Sequence, residues 1–127
     1  MRRALILITV MLLVGTGSGL WMESWLSGIC GEYLALTETV RSLILEGRTE
    51  EAAAEQAFLF ASWQGVTRRL NGVVSHHHTR AVDEALLALS TAIEQGWRLE
   101  ALEALDAAQF ALRDLESDMT LRWENVL

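Results

Sequence analysis

The sequence predicts an all-α protein: an N-terminal transmembrane or signal-anchor helix that continues into a small antiparallel bundle of about four helices. Three observations carry this. An uncharged apolar run fills residues 4–22. Beyond it apolar residues recur at alternating steps of three and four, the spacing of one helix face. Pro is absent from all 127 residues, and no β-rich alternation interrupts the pattern. The length allows one small domain.

The first element is Ala4–Met22, preceded by Arg2 and Arg3 and followed by Glu23. As a helix it is roughly 28 Å long, close to a hydrocarbon core of about 30 Å. The flanking charges keep the N-terminus in the cytoplasm and place residues 23–127 outside the cell membrane, as a single-pass protein. Trp21 and Trp25 then fall at the far interface, where an amphipathic indole is favoured. A secreted form is the alternative: Ala4–Val14 is a short apolar core, and Gly15–Gly19 offers small residues for cleavage near Gly19. Gly15 and Gly19 also stand four apart, the step that lets two membrane helices approach closely.

The exported segment reads as helix throughout. Leu26, Ile29, Tyr33, Leu36, Val40 and Leu43 form an apolar seam, so the first helix runs to about Glu46 and stops at Gly47. Thr49 is placed to cap a second helix, with Glu50 and Glu51 in its first turn. That helix carries Leu59, Trp63, Val66, Leu70 and Val73 on one stripe, and Asn71-Gly72 with the Ser75–His78 run marks its frayed end. A third helix over about Thr79–Gln95 presents Val82, Ala85, Leu86, Leu89 and Ile93, with Gly96 as its stop. A fourth over about Arg98–Asp118 presents Ala101, Leu105, Ala108, Leu112, Leu115 and Met119. The tail Thr120–Leu127 reads as irregular. Phe58, Phe60, Trp63, Trp97 and Phe110 are expected to pack the core. The turns beginning at Gly47 and Gly96 share Gly, Glu and Ala in register, which suggests two hairpins of similar design.

Charge separates the two regions. The chain has ten Arg, no Lys and seventeen acids, for a net −7. Residues 23–127 hold eight of those Arg and all seventeen acids, a formal −9. Such an acidic surface is opposite to the basic stripe of a nucleic-acid binder. The single Cys30 excludes a disulfide framework and reads as a buried thiol, with an intermolecular disulfide as the alternative outside the cytoplasm. No phosphate loop, HExxH or nucleophile elbow is present, so the chain is read as a non-enzyme without a cofactor.

His76-His77-His78 is the one cluster with metal-ligand chemistry. On a helix three consecutive side chains point about 100° apart and cannot share one ion, whereas in a loop two of them could, with Asp or Glu completing the set. His76 and His78 are therefore weak metal candidates beside the alternative of a polar helix junction.

From Trp63 onward the chain resembles the small bacterial membrane-anchored helical proteins of domain of unknown function family 4363. The resemblance is carried by Trp63, His76, the run Leu86, Leu89 and Ile93, then Glu100-Ala101, Phe110 and Leu112. It is strongest in the ending Thr120-Leu121-Arg122-Trp123-Glu124-Asn125-Val126-Leu127. Ser75, His77 and His78 stand where the family tends to have acids, and a Pro usual near the last helix is missing. The resemblance implies an anchored, exported helical protein and marks Trp123 and Asn125 as interaction positions. The expected role is a non-catalytic interaction or accessory module, in contact with the lipid bilayer and with another membrane protein or itself. A metal- or pH-responsive sensor using His76–His78 is the alternative.

Overall fold

The structure, a computed structural model, describes residues 2–70 and 76–126, with the backbone alone at 19, 22, 23, 70, 76 and 119–126. Among the described residues it is entirely helical: α1 (Arg2–Leu45), α2 (Thr49–Leu70), α3 (His76–Gln95) and α4 (Arg98–Val126). Each helix packs on its two neighbours in the ring α1–α2–α3–α4, and among the described residues the backbones of diagonal pairs stay apart. This is the up-down arrangement that short turns between long helices dictate.

With no Pro to break it, α1 is one continuous helix of 44 residues, about 66 Å long at about 1.5 Å per residue. Its second half belongs to the bundle, and its first half projects beyond it. The boundary between the projecting half and the bundle near residue 22 is thus a change of surroundings, not of backbone.

The two distal turns are built alike. Gly47 and Gly96 adopt φ of 77° and 71°. After the first, Gly47 N donates to Ile44 O and Arg48 N to Leu43 O. After the second, Gly96 N donates to Ile93 O and Trp97 N to Ala92 O, completing the same Schellman pattern. A left-handed residue is required at both positions, which is why Gly recurs there. The next helices begin where Ala52 N donates to Arg48 O and Ala101 N to Trp97 O. Arg48, not Thr49, therefore holds the capping position of α2. Its guanidinium donates to Glu46 and Glu51 and so braces the turn, while as a donor it cannot accept from the first-turn N–H groups as a hydroxyl would.

The core has two apolar halves. The proximal one joins Leu26, Cys30 and Tyr33 of α1 to Leu59 and Trp63 of α2, Val82 and Leu86 of α3, and Leu112 and Leu115 of α4. The distal one joins Val40 and Ile44 to Ala52, Leu89, Ile93, Ala101 and Leu105. Between them lies a buried polar layer. Gln109 Nε2 donates to Thr37 Oγ1 at 3.1 Å and to Glu38 Oε1 at 2.5 Å. Gln56 Nε2 donates to Leu86 O at 2.9 Å and to Ser90 Oγ at 3.2 Å. Paired polar groups at one level of a bundle penalise any slip of one helix past another, because a slip leaves them unsatisfied.

Two further sequence expectations change. The third helix starts at His76 rather than Thr79, so the histidine run is helical. The fourth continues to Val126, and the tail up to that residue is not irregular: nothing from Thr120 to Val126 is Gly or Pro, so an established helix propagates through it. Asn71-Gly72, Val73 and Ser75 lie outside the described residues, as do the side chains of Leu70 and Met119.

Among the described residues no helix is long and apolar enough to cross a membrane. The apolar run 4–22 includes Gly19 and Met22, so its continuous fully described part stops at Ser18.

Candidate functional site

Apart from Leu45, Phe58 and Leu99, the large exposed apolar side chains among the described residues gather in two places. The first is the projecting half of α1. Leu5, Ile6, Leu7, Ile8, Val10, Met11, Leu12, Leu13, Val14, Leu20 and Trp21 are 50 to 73 % exposed. They point to every side of the helix, since consecutive residues turn about 100°. Gly15 has nothing within 4 Å of the position a Cβ takes, so that face is open to a second helix; Gly19 lies outside the fully described residues. Where shaft meets bundle, Trp21 stacks on Trp25 with centroids 6.2 Å apart and planes 11° apart, and Trp25 packs on the proximal core.

The second is the outer groove between α3 and α4. Its distal stretch is lined by Glu84, Leu87, Ala88, Thr91, Trp97 and Glu100. Its proximal stretch runs on through His77, Ala81, Glu84, Asp106, Ala107, Phe110 and Asp114. Phe110 is 72 % exposed, Leu87 58 % and Trp97 52 %. The expectation that Trp97 and Phe110 fill the core is overturned, and Phe58 is exposed as well. Helical phase gives the reason. Ala108 and Leu112 face inward on α4, and Phe110 stands two residues from each, about 200° away around the axis. Trp97 sits in the turn before α4, where its backbone caps the helix and its ring lies across the groove mouth.

His78 lies at the proximal end of the same helix pair. Its Nδ1 is 3.3 Å from Asp114 Oδ2 and its Nε2 3.2 Å from Asp118 Oδ2, with the imidazole largely buried. Asp114 and Asp118 are one turn apart on α4, so both carboxylates present to one face. Spacing of the two aspartates along α4 was the available signal for this contact, and the sequence reading did not use it. The His76 side chain lies outside the described residues, as do those of Trp123 and Asn125, although all three positions are helical. Among the described residues no group of three or more His, Cys, Asp or Glu is arranged to hold a metal ion.

Other polar contacts hold the bundle together. Arg41 reaches from α1 to Asp106 at 2.5 Å and to Gln109 Oε1 at 3.3 Å. Ser27 Oγ donates to Glu116 at 2.8 Å. Cys30 is fully buried and free. Burial first, and the Glu116 charge second, push its thiol up to about 12. A thiol held protonated is a poor nucleophile, so this side chain acts as core packing. Compared with family models, curated proteins and solved structures, the chain matches none.

Proposed function

We propose that this protein is a membrane-anchored helical module displayed outside the cytoplasm, with a non-catalytic interaction or accessory role toward another membrane protein. The observation that carries the reading is the exposed apolar shaft of α1, continuous with the bundle and meeting it through the Trp21–Trp25 stack. Leaving Leu, Ile or Val side chains in water forgoes about 1.5–3 kcal/mol each, and a bilayer supplies the missing apolar solvent. The proposed span is the whole stretch 4–22, with Arg2 and Arg3 on the cytoplasmic side. The stacked Trp21 and Trp25 suit the outer interface. The open face at Gly15, four residues before Gly19, leaves room for a partner or a second copy inside the membrane.

Fractionation tests it. The full chain should stay in the membrane pellet through an alkaline carbonate wash. Ile8→Arg with Leu12→Arg should move it to the supernatant, because each Arg at the centre of a span costs about 2.5–3.5 kcal/mol. Release of the unaltered chain by carbonate sinks the anchor. Recovery of a shortened chain beginning after Gly19 replaces it with the secreted form.

The His78 contacts favour a second reading, a sensor in which the imidazole clasps α3 to α4. Replacing His78 by Ala should lower thermal stability by about 1 kcal/mol at low ionic strength, and the loss should shrink in high salt as the exposed carboxylates are screened. Equal stability of the two proteins removes the clasp. For the metal form, calorimetry with zinc, nickel and copper should give heat that vanishes when His76 and His78 are replaced, and no heat at all rejects it.

A further inference from the structure

We propose that the α3–α4 groove is a docking surface for a cationic amphipathic helix of a partner protein. The proposal rests on the reading of the chain as an interaction module and names the surface and the chemistry of what it takes. Shape is the first argument. Ala81, Ala88 and Ala107 keep the floor of the groove shallow and smooth, so a helix can approach both α3 and α4 closely. Phe110 on α4 and Trp97 in the turn before it stand thirteen positions apart, about 20 Å, with Leu87 on the facing helix between them. That length matches about four turns of a partner helix anchored at steps of three, four and seven. Large apolar side chains exposed together on ordered helices mark an interaction surface.

Charge selects the occupant. Glu84, Glu100, Asp106 and Asp114 line the groove, and no Arg does. Asp106 is paired with Arg41 and Asp114 with His78. Glu84 and Glu100 form no ion pair among the described residues, although both flank the apolar strip. Arg or Lys on either side of an apolar stripe would meet these two carboxylates while the stripe covers Leu87, Trp97 and Phe110. A second copy of this chain is disfavoured: its exported part has eight Arg against seventeen acids and would bring like charge to the rim. Anionic lipid headgroups are disfavoured by the same acids.

Photocrosslinking from the full-length protein tests this. Benzoylphenylalanine replaces Phe110, an exposed position where another aromatic ring disturbs nothing inside the bundle. Membranes from the cells that naturally make the protein are then illuminated. The expected product is an adduct to a different protein, joined through a segment of net positive charge with apolar residues at helical spacing. Its yield should fall at least about five-fold when Glu84→Arg and Glu100→Arg are added, with helix content unchanged by circular dichroism. An adduct of two copies of this chain overturns the proposal, as does one to lipid or to a neutral or acidic segment. A yield indifferent to the charge reversals overturns it too, and so does the absence of any adduct from protein present in the membrane pellet. Absence of the protein from that pellet counts instead against the anchor, so the two readings fail separately.

Discussion

Replacing Trp63 by Ala is expected to destabilise the bundle by about 4 kcal/mol, within the range for deleting a buried Trp. The indole is 0 % exposed and is the largest fully buried side chain of the core. The Tyr33 ring meets it edge-on with centroids 5.3 Å apart and planes 84° apart. Its Nε1 donates to Asp83 Oδ1 at 2.6 Å, tying α2 to α3. Truncation removes all of this at once: the apolar area, the aromatic pair and the hydrogen bond. For a domain of this size 1 kcal/mol corresponds to roughly 4–8 °C, so the midpoint should fall by roughly 15–30 °C. Trp63→Phe keeps most of the volume and should recover more than half of the loss, leaving the absent hydrogen bond and a smaller void. Thermal unfolding of the three proteins in the same detergent checks both. A midpoint within a few degrees of the original for Trp63→Ala would show that the centre of the bundle tolerates a cavity the size of an indole.

Trp63 illustrates what periodicity reveals. Its stripe with Leu59 faces the core because the two are four apart on a helix with no interruption. The same logic correctly identifies Val82, Ala85, Leu86, Leu89 and Ile93 on α3, all of them buried. It identifies Ala101, Leu105, Ala108, Leu112 and Leu115 on α4 as well. The kinship of the turns at Gly47 and Gly96 extends to identical hydrogen-bond patterns. In these places local sequence and tertiary packing ask for the same residue, so the pattern is easy to read.

Residue type misled where it was allowed to outweigh phase. Phe110 was assigned inward because it is aromatic, although its position on α4 already pointed it away from the Ala108–Leu112 seam. Phe58, next to the buried Leu59 on α2, follows the same rule, whereas Trp97 lies in the turn before α4. Those side chains are the ones that make the outer face of the molecule apolar, so the misreading concealed the most informative surface of the bundle. The end of α4 had a different cause. A polar, mixed ending lacks an apolar stripe, and helix propagation from an established helix needs none. His78 was obscured by non-locality: its carboxylate partners stand 36 and 40 positions along the chain. Only the antiparallel pairing of α3 and α4 brings them together.

Cys30 supplies the other large expected effect. Its thiol is pushed from an ordinary 9.0 up to about 12, chiefly by burial in the proximal core and further by the Glu116 charge. The native state therefore holds this proton more tightly than the unfolded chain does. The stabilisation that follows is fully present below pH 9 and is lost as pH rises from about 9 toward about 12, at about 1.4 kcal/mol per pH unit. Denaturant unfolding at about pH 8 and about pH 10.5 should show the native chain losing about 2 kcal/mol more than Cys30→Ala. Parallel losses in the two proteins would mean the thiolate forms as readily inside the bundle as outside it. The same shift predicts alkylation by iodoacetamide at about pH 8 roughly a thousandfold slower in the folded than in the unfolded protein. A lone thiol in an oxidising compartment is exposed to disulfide exchange, whose reactive species is the thiolate. Burial against Leu26, Tyr33 and Trp63 suppresses that species, so the bundle can carry one unpaired Cys without joining copies through it.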